Sequence, residues 1–180
     1  LSSILIQTFG KFMKIHFSRQ RTKIVNNPHL PVSVIICAHN EAENLQKYLP
    51  AILQQNYSIF EVIVVNDGST DNSEQILIDF QSKYSLLKII NIRPEEKKHK
   101  GKKFALDLGI RQAKNQYLLL TDADCEAVSD NWISKMMQHF DSETEMVLGI
   151  APYHHTGTFL SKMVSYETTM TMIQYISYAL

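Results

Sequence analysis

Short apolar runs that alternate with helix-like repeats constrain the fold of this chain more than any other feature. The runs "VSVIICA" at 32–38 and "EVIVVN" at 61–66 are continuous and rich in β-branched residues, which is typical of strands buried on both faces. The segments after them carry apolar residues three and four positions apart, as in a helix with one buried side. This alternation predicts an α/β protein with a parallel sheet and helices on both faces. The strands are predicted at 32–38, 61–66, 86–92, 117–121 and 145–151, and the helices at 41–55, in the second part of 67–84, and at 104–114, 131–140 and 158–180.

Local signals place some of the helix ends. Asn40 with Glu43 three positions later, and Asp71 with Glu74, have the spacing of capping pairs at helix N-termini. Pro50 lies inside the first predicted helix and has no N–H for a helical hydrogen bond. We therefore expect a kink or a break at this residue.

Length and composition indicate one domain with a sizeable core. The chain has 180 residues, of which 44% are hydrophobic and 20% charged, as in ordinary globular proteins. The 18 Lys and Arg residues balance the 18 Asp and Glu residues, so the net charge gives no sign of a nucleic-acid partner, and none is expected. Only 2 cysteines are present, which argues against a disulfide framework and favours a reducing compartment.

The chain divides into three parts by composition. Residues 1–30 combine an apolar start with basic residues and a polar linker, so we expect a membrane-proximal or amphipathic segment there. A helix docked on its own domain is the alternative. Residues 31–157 hold the alternating strands and helices. Residues 158–180 are rich in Met and Tyr and are expected to form an apolar helix that leads into a further region.

Unusual polar residues follow three of the predicted strands. "AHNE" occupies 38–41, "NDGSTD" 66–71 and "TDAD" 121–124. Ligands bind at the carboxyl ends of parallel strands, so these segments are expected to line one site. Asp122 and Asp124, two positions apart at a strand end, would lie on one face and repel each other. A divalent cation is the expected compensation, and carboxylates that only cap the next turn are the alternative.

Several other kinds of site are excluded because their patterns are missing. The first strand is not followed by GxGxxG, and no GxxxxGK[ST] is present, which argues against a Rossmann dinucleotide site and a P-loop. The Cys and His spacings do not resemble a zinc site, so His39, His154 and His155 are not taken as metal ligands.

Four segments together resemble the signatures of the inverting glycosyltransferases of family 2, which have the GT-A fold. The segments are "VSVIICAHNEAENL", "VIVVNDGSTDNS", "GKKFALDLG" and "LLLTDADCEA", in the order and spacing of the family. The resemblance runs from about Pro31 to about Ile150. It implies a Rossmann-like, mostly parallel sheet that binds a nucleotide-sugar donor, with a UDP-sugar expected.

The resemblance also implies roles for individual residues. Asp124 would hold Mg²⁺ or Mn²⁺, with Asp122 beside it and nearer the ribose. Asp67 would recognise the uracil ring, and an Asx-turn is its alternative role. Lys102 would supply a point charge for the diphosphate, and a solvated loop is the alternative for this lysine. The other residues expected in the nucleotide-sugar site are Ala38, Asn40, Glu41 and Gly68, whereas Asp107 departs from the Asn that the family more often has.

The general base that inverting transfer requires is not identified in this chain. After Glu145 the only acid is Glu167, in a helical segment unlike the family's base motif, and the QxxRW signature of processive members is absent. We therefore expect the donor-binding part of a hexosyltransferase-type enzyme, truncated before its acceptor side. These residues alone are expected to be inactive.

Three functions are weighed. The leading one is metal-assisted transfer, with inversion, from a nucleotide-diphosphate sugar to a hydroxyl of a saccharide or lipid-linked acceptor. It is expected in the cytoplasm or at the cytoplasmic face of a membrane, as in the assembly of cell-envelope polysaccharides. The second is a non-catalytic nucleotide-binding module that lacks the base. The third, a nucleotidyltransferase, would need a Gly- and Lys-rich loop after the first strand, and "CAHNEAEN" is not such a loop.

Overall fold

The structure is a computed structural model that describes residues 30–93, 101–149, 151 and 157–179. Residues 24–145 form one compact unit, and residues 146–180 belong to a second unit together with 1–23. The predicted N-terminal segment, apart from Leu30, and the lysines of 94–100 lie outside the described residues.

Four parallel strands form the sheet of the larger unit. They are β1 (Val32–Ala38), β2 (Phe60–Asp67), β3 (Leu87–Ile92) and β4 (Tyr117–Asp122), in the order β3-β2-β1-β4. The two central strands are apolar along nearly their whole length because each has a hydrogen-bonded neighbour on both sides and covered faces. The predicted parallel sheet is therefore confirmed for these four strands.

Five helices are present among the described residues, and they connect or follow the strands in sequence. They are α1 (Ala42–Leu53), α2 (Ser73–Lys83), α3 (Lys102–Gln112), α4 (Trp132–Met137) and α5 (Phe159–Ala179). The helix α4 ends three residues before its predicted end. The helix α3 begins two residues earlier than predicted, directly after Gly101, whose φ of 115° is one that glycine adopts readily.

Helices cover both faces of the sheet, as the alternation of elements predicted. On one face, Leu45 of α1, Leu77 of α2 and Ile133 of α4 belong to the same buried cluster as Val34 and Ile36 of β1. On the other face, Ala105 of α3 packs with Ile63 and Val65 of β2. The two layers bury most of the central strands, and burial of this kind is the main source of stability in such a fold.

Two expectations about α1 need correction. The helix does not break at Pro50 but continues to Leu53, and the Pro50 carbonyl accepts from Gln54 N–H at 3.0 Å. A kink at this proline, the other expected outcome, stays a prediction. Asn40 is not the N-cap: that position is Glu41, and Asn40 has a φ of 56°, which lies in the left-handed region. The helix N-terminus is capped by side chains from another loop, described below.

The fifth predicted strand does not form at residues 145–149. These residues have no regular structure, and they take part in none of the described strand pairings. Met146 and Leu148 are mostly exposed. An apolar run becomes a strand only where a neighbouring strand supplies hydrogen bonds, and the described residues supply none here.

The helix α5, in the second unit, is apolar and largely exposed. Phe159, Leu160, Met163 and Tyr166 are all more than half exposed. Its N-terminus is capped by Thr158, whose hydroxyl accepts from Ser161 N–H at 3.2 Å. Within the stretches that the structure describes, no helix combines the length and hydropathy needed to cross a membrane.

Replacing Gly109 by alanine should destabilise the protein. An added Cβ would lie 2.7 Å from Ile35 Cγ2 and 3.1 Å from Val65 Cγ2, and both side chains are buried in the sheet. Overpacking of this kind costs about 1–3 kcal/mol, which exceeds the gain in helix propensity of about 1 kcal/mol. We expect urea denaturation to show a lower free energy of unfolding for Gly109→Ala.

The matched control for this prediction is Lys103→Ala, at an exposed position of the same helix. Its free energy of unfolding should stay within about 0.5 kcal/mol of the wild-type value. A more stable Gly109→Ala protein would contradict the close approach of α3 to the sheet.

Candidate functional site

A cavity of about 420 Å³ opens at the carboxyl edge of the sheet. Its volume falls in the range of small-molecule sites. It lies where β1, β2 and β4 end and where α3 begins, so each element contributes its terminal residues. The described residues that line it are Cys37, Ala38, His39, Glu41, Asp67, Gly101, Lys102, Asp122, Ala123 and Asp124.

Strand register brings these residues together. In the parallel pairing, Ala38 of β1 lies beside Asn66 of β2, and Cys37 lies beside Asp122 of β4. The strands therefore end level with one another, and the polar residue that follows each apolar run enters the same space. Six of the predicted site residues line the cavity: Ala38, Glu41, Asp67, Lys102, Asp122 and Asp124.

Asp122 and Asp124 reach the cavity in different ways. Asp122 is the last residue of β4, whereas Asp124 lies in the turn after it, closed by a hydrogen bond of 3.2 Å from Cys125 N–H to the Asp122 carbonyl. The expectation that both lie on one strand face is therefore wrong, because the chain turns between them. The turn nevertheless brings both carboxylates to the cavity.

The charge of the cavity lining is mostly negative. Glu41, Asp67, Asp122 and Asp124 contribute carboxylates, and Lys102 is the one lysine or arginine among the described lining residues. The Lys102 ammonium forms an ion pair with Asp122, and each side chain is about half exposed, at 53% and 55%. Exposed pairs are weak, so Lys102 can leave Asp122 for another anion at little cost.

A metal ion would find two suitable oxygen donors here, in Asp122 and Asp124. Among the described residues, no group of three His, Cys, Asp or Glu side chains is placed to hold a metal by itself. Mg²⁺ in proteins commonly takes one or two carboxylates and completes its shell with water and substrate phosphates. The donor set therefore fits a cation that binds together with a phosphorylated ligand.

The predicted site residues Asn40 and Gly68 do not line the cavity among the described residues. Asn40 instead joins the loop after β1 to the loop after β2: its Oδ1 accepts from Thr70 N–H at 2.8 Å. Gly68 forms part of the second loop and has a φ of 64°, which a glycine adopts without strain. Both residues therefore shape the loops that carry the lining residues.

Asp71 joins the same two loops because its carboxylate accepts a hydrogen bond from the first residue of each of two helices. Its Oδ2 accepts from Ala42 N–H in α1, and its Oδ1 accepts from Ser73 N–H in α2, both at 3.0 Å. Burial of the carboxyl group raises the pKa of Asp71, but hydrogen bonds from Ser73 and Ala42 outweigh this effect and leave its pKa below the ordinary value. Asp71 is therefore not the predicted N-cap of α2, which is Asn72, but its carboxylate accepts from the first residue of α2 and from the first residue of α1, about thirty residues away.

Sequence reasoning missed Cys37, His39, Gly101 and Ala123 as lining residues. His39 hydrogen-bonds through Nδ1 to the Asp67 carbonyl at 2.7 Å, which links the ends of β1 and β2. Burial raises the pKa of the Cys37 thiol, and the nearby Asp122 and Asp67 add to the rise, against the opposing effect of Lys102. The thiol is therefore neutral at pH 7. Each of the four missed lining residues is adjacent in sequence to a predicted site residue, and this adjacency was the signal that could have identified them.

The fold and the cavity together define an α/β protein with a small-molecule site at the carboxyl edge of a parallel sheet. The chain matches the family model described as Glycosyl transferase family 2 over residues 33–177, which is most of its length. The chain therefore belongs to glycosyltransferase family 2, as its four sequence segments predicted.

Curated relatives extend the comparison. The poly-beta-1,6-N-acetyl-D-glucosamine synthase of Staphylococcus epidermidis is 29% identical over 152 residues, which cover 82% of this chain and 35% of that protein. Glycosyltransferase AglE of Haloferax volcanii is 38% identical over 106 residues, which cover 58% of this chain and 33% of that protein. The chain spans about a third of the length of these relatives.

Solved structures confirm the GT-A type of α/β fold. The mannosyltransferase PcManGT from Pyrobaculum calidifontis, in complex with GDP-Man and Mn²⁺, has a TM-score of 0.60 at 22% identity, over 76% of this chain and 41% of that chain. S. aureus TarS in complex with UDP-GlcNAc has a TM-score of 0.52 at 25% identity, over 59% of this chain and 30% of that chain.

Removing the Asp71 carboxylate should destabilise the protein in a pH-dependent way. Loss of a helix cap costs about 1 kcal/mol, and Asp71→Ala removes acceptors from two helices. Because the folded-state pKa of Asp71 is depressed, its charged form stabilises the protein above the unfolded-state pKa of about 3.9. This contribution is lost as the pH falls through the folded-state pKa.

We therefore expect the wild type to exceed Asp71→Ala in free energy of unfolding by a constant amount between about pH 5 and 7. The difference should shrink below about pH 4, in denaturant titrations at each pH. Asp79→Ala makes the same charge change at an exposed position inside α2 and should show no such loss. A difference that grew on acidification would refute the capping role.

Proposed function

We propose that this chain is the donor-binding part of a glycosyltransferase that transfers a sugar from a nucleotide-diphosphate sugar, UDP-linked, to an acceptor hydroxyl. The transfer is metal-assisted and proceeds with inversion at the sugar carbon. Family membership supports the transfer itself. The nucleotide, the metal, the inversion and the acceptor are the parts that this proposal adds.

The single observation that carries the proposal is the grouping of carboxylates from three loops around one lysine. A diphosphate would be repelled by the carboxylates of Asp67, Asp122 and Asp124 unless a cation lay between them. A divalent cation on Asp122 and Asp124 gives the cavity the positive charge that a diphosphate requires. The same grouping would serve poorly for a neutral ligand.

The bound Mg²⁺ or Mn²⁺ would act as a Lewis acid on the departing diphosphate, where negative charge grows as the sugar bond breaks. Lys102, released from Asp122, would lie against the same diphosphate as a second positive charge. Asp122 would also accept a hydrogen bond from the ribose. The family resemblance implies these roles, and the positions of Asp122 at the end of β4 and Lys102 at the start of α3 support them.

Asp67 would recognise the base of the nucleotide. Asp67 is only 6% exposed, and its backbone carbonyl accepts a hydrogen bond from His39 where β1 and β2 end. The carboxylate of Asp67, on a backbone held in this way, could accept a hydrogen bond from a ring N–H, as in uracil. Ala38 and Glu41 would complete the wall beside the nucleotide, with the small side chain of Ala38 leaving room for it.

Similar proteins support a nucleotide sugar as the donor. TarS has been solved with UDP-GlcNAc, and the Staphylococcus epidermidis relative is named as a synthase of an N-acetylglucosamine polymer. A UDP-linked hexose or N-acetylhexosamine is therefore our proposed donor. Inversion is proposed from the family resemblance of the sequence motifs.

We propose that the acceptor side and the general base belong to a part of the protein outside this donor-binding unit, because the family's base motif is not recognised among these residues. The acceptor would be a saccharide or a lipid-linked saccharide at the cytoplasmic face of a membrane, as in polymer assembly. These residues alone would bind the donor without turnover.

The experiment that tests the donor site is calorimetric titration of UDP into this chain, with and without Mn²⁺. We expect binding that requires Mn²⁺ and that weakens at least about tenfold in Asp124→Asn, because the cation loses a charged ligand. Asp130→Asn, an exposed position outside the cavity lining, should bind like the wild type.

Each outcome of this titration has a different meaning. A folded protein that binds neither UDP nor GDP, with or without metal, would overturn the donor site. Binding by a full-length protein that never transfers or hydrolyses a nucleotide sugar would favour the non-catalytic nucleotide-binding module instead.

Lys102→Met should change metal and nucleotide binding in opposite directions. Without nucleotide, Mn²⁺ should bind about two- to fivefold more tightly, because the lysine no longer competes for Asp122. With Mn²⁺ present, UDP should bind roughly tenfold more weakly, because the diphosphate loses a charged partner. Electron paramagnetic resonance of free Mn²⁺ and calorimetry of UDP measure the two effects.

The control for this pair of measurements is Lys103→Met, which removes the same charge from the next residue, outside the cavity lining. It should alter both affinities by less than about twofold, because an exposed charge outside the site is screened. If Lys102→Met weakened Mn²⁺ binding, the competition between lysine and metal would be disproved.

A further inference from the structure

We propose that Asn40 is a positioning residue of the donor site: it holds the loops that carry His39, Glu41 and Asp67 without touching the donor itself. This inference rests on the proposed function. It also replaces the expected role of Asn40 as a nucleotide ligand, since the cavity lining contains both its neighbours but not Asn40.

Asn40 makes three hydrogen bonds to the loop after β2. Its backbone N–H donates to Ser69 Oγ at 2.9 Å, and its side-chain Oδ1 accepts from Thr70 N–H at 2.8 Å and from Thr70 Oγ1 at 3.3 Å. Each of these partners is about thirty residues away along the chain. One residue therefore joins both of the loops that follow the central strands.

The backbone conformation of Asn40 makes these contacts compatible with each other. Its φ of 56° lies in the left-handed region, where asparagine is several-fold enriched among residues other than glycine. This turn of the chain sends the Asn40 side chain toward Thr70 while its neighbours on both sides face the cavity. An alanine here would lose the hydrogen bonds and also carry backbone strain.

The residues on either side of Asn40 are tied to the second loop as well. His39 Nδ1 hydrogen-bonds to the Asp67 carbonyl at 2.7 Å, and Glu41 N–H donates to Ser73 Oγ at 3.1 Å. Since a carbonyl oxygen only accepts, Nδ1 carries the proton. Asn40 Nδ2 lies 3.5 Å from His39 Nε2, the second nitrogen of the same ring.

A pair of loops fixed before binding lowers the cost of binding. A ligand that had to order both loops would lose affinity to the entropy of that ordering, whereas here the hydrogen bonds of Asn40 have ordered them already. Asn40 thus acts through the placement of His39 and Asp67. Its side chain should influence affinity without a contact to the nucleotide.

Two substitutions separate the hydrogen bonds from the backbone conformation. Asn40→Gly keeps the left-handed conformation but removes the side-chain acceptor. Asn40→Asp tolerates the same conformation and keeps an oxygen for Thr70 N–H. We expect UDP, in the presence of Mn²⁺, to bind about five- to tenfold more weakly to Asn40→Gly and within about twofold of the wild type to Asn40→Asp.

A measurement without nucleotide tests whether Asn40 fixes the two loops. Nitrogen NMR of the imidazole should show His39 protonated at Nδ1 in the wild type and in Asn40→Asp. In Asn40→Gly this signal should give way to a mixture of tautomers, as the loops separate. A residue that merely stabilised the fold would lower the melting temperature and leave the tautomer of His39 unchanged.

A double-mutant cycle with Asp71 distinguishes positioning from direct contact. Asp71→Ala opens the same pair of loops, so its effect on UDP affinity should overlap with that of Asn40→Gly, and the double variant should lose less than the product of the two changes. If the two losses of UDP affinity multiply fully, Asn40 acts independently of Asp71, as a residue in contact with the donor would.

The outcomes that overturn the proposal are distinct from failure of the proposed function. If the wild type does not bind UDP, the proposed function fails, and the His39 spectrum still decides whether Asn40 fixes the loops. If Asn40→Asp binds as weakly as Asn40→Gly while its His39 spectrum stays like that of the wild type, the amide N–H group contacts the donor and the positioning role is wrong. An unchanged His39 spectrum in Asn40→Gly likewise overturns it.

Discussion

Pairing of β1 with β2 on one side and β4 on the other is the constraint on which the site depends. Three strands that run parallel and end level place their last residues, Ala38, Asp67 and Asp122, around one opening. The central strands β1 and β2 hold this register because nearly all of their side chains are buried, and a slip by one residue would exchange the side chains that pack against the two helix layers. The packing of the core therefore also determines where the residues of the site lie.

The same geometry gathers negative charge that the fold alone does not balance. Within the described lining, Lys102 neutralises one carboxylate through a half-exposed pair that is easily exchanged. A site with this balance of charge would repel an anion unless a cation accompanied it, which is the physical basis of the proposed metal-dependent binding of a diphosphate.

Features that depend on local periodicity could be predicted from the sequence. The runs at 32–38 and 61–66 specified buried strands, and the polar residues after them were correctly placed at one edge. Features that depend on distant partners could not. The role of Asn40 was misassigned because capping rules look three residues ahead, whereas its partner Thr70 is thirty residues away. The run at 145–151 was predicted as a strand from its apolar composition. Composition carries no information about whether a neighbouring strand is available for pairing.

The hydrogen bonds of the two loops also limit how a diphosphate can bind. In many sheets of this kind the first helix points its free N–H groups at a phosphate. Here the N–H groups of Glu41 and Ala42, at the start of α1, already donate to Ser73 and Asp71. The Asp71 carboxylate adds a negative charge at the same helix end. With these two donors occupied, the proposed function assigns the positive charge for an anion to a bound cation and Lys102, at the β4 side of the cavity.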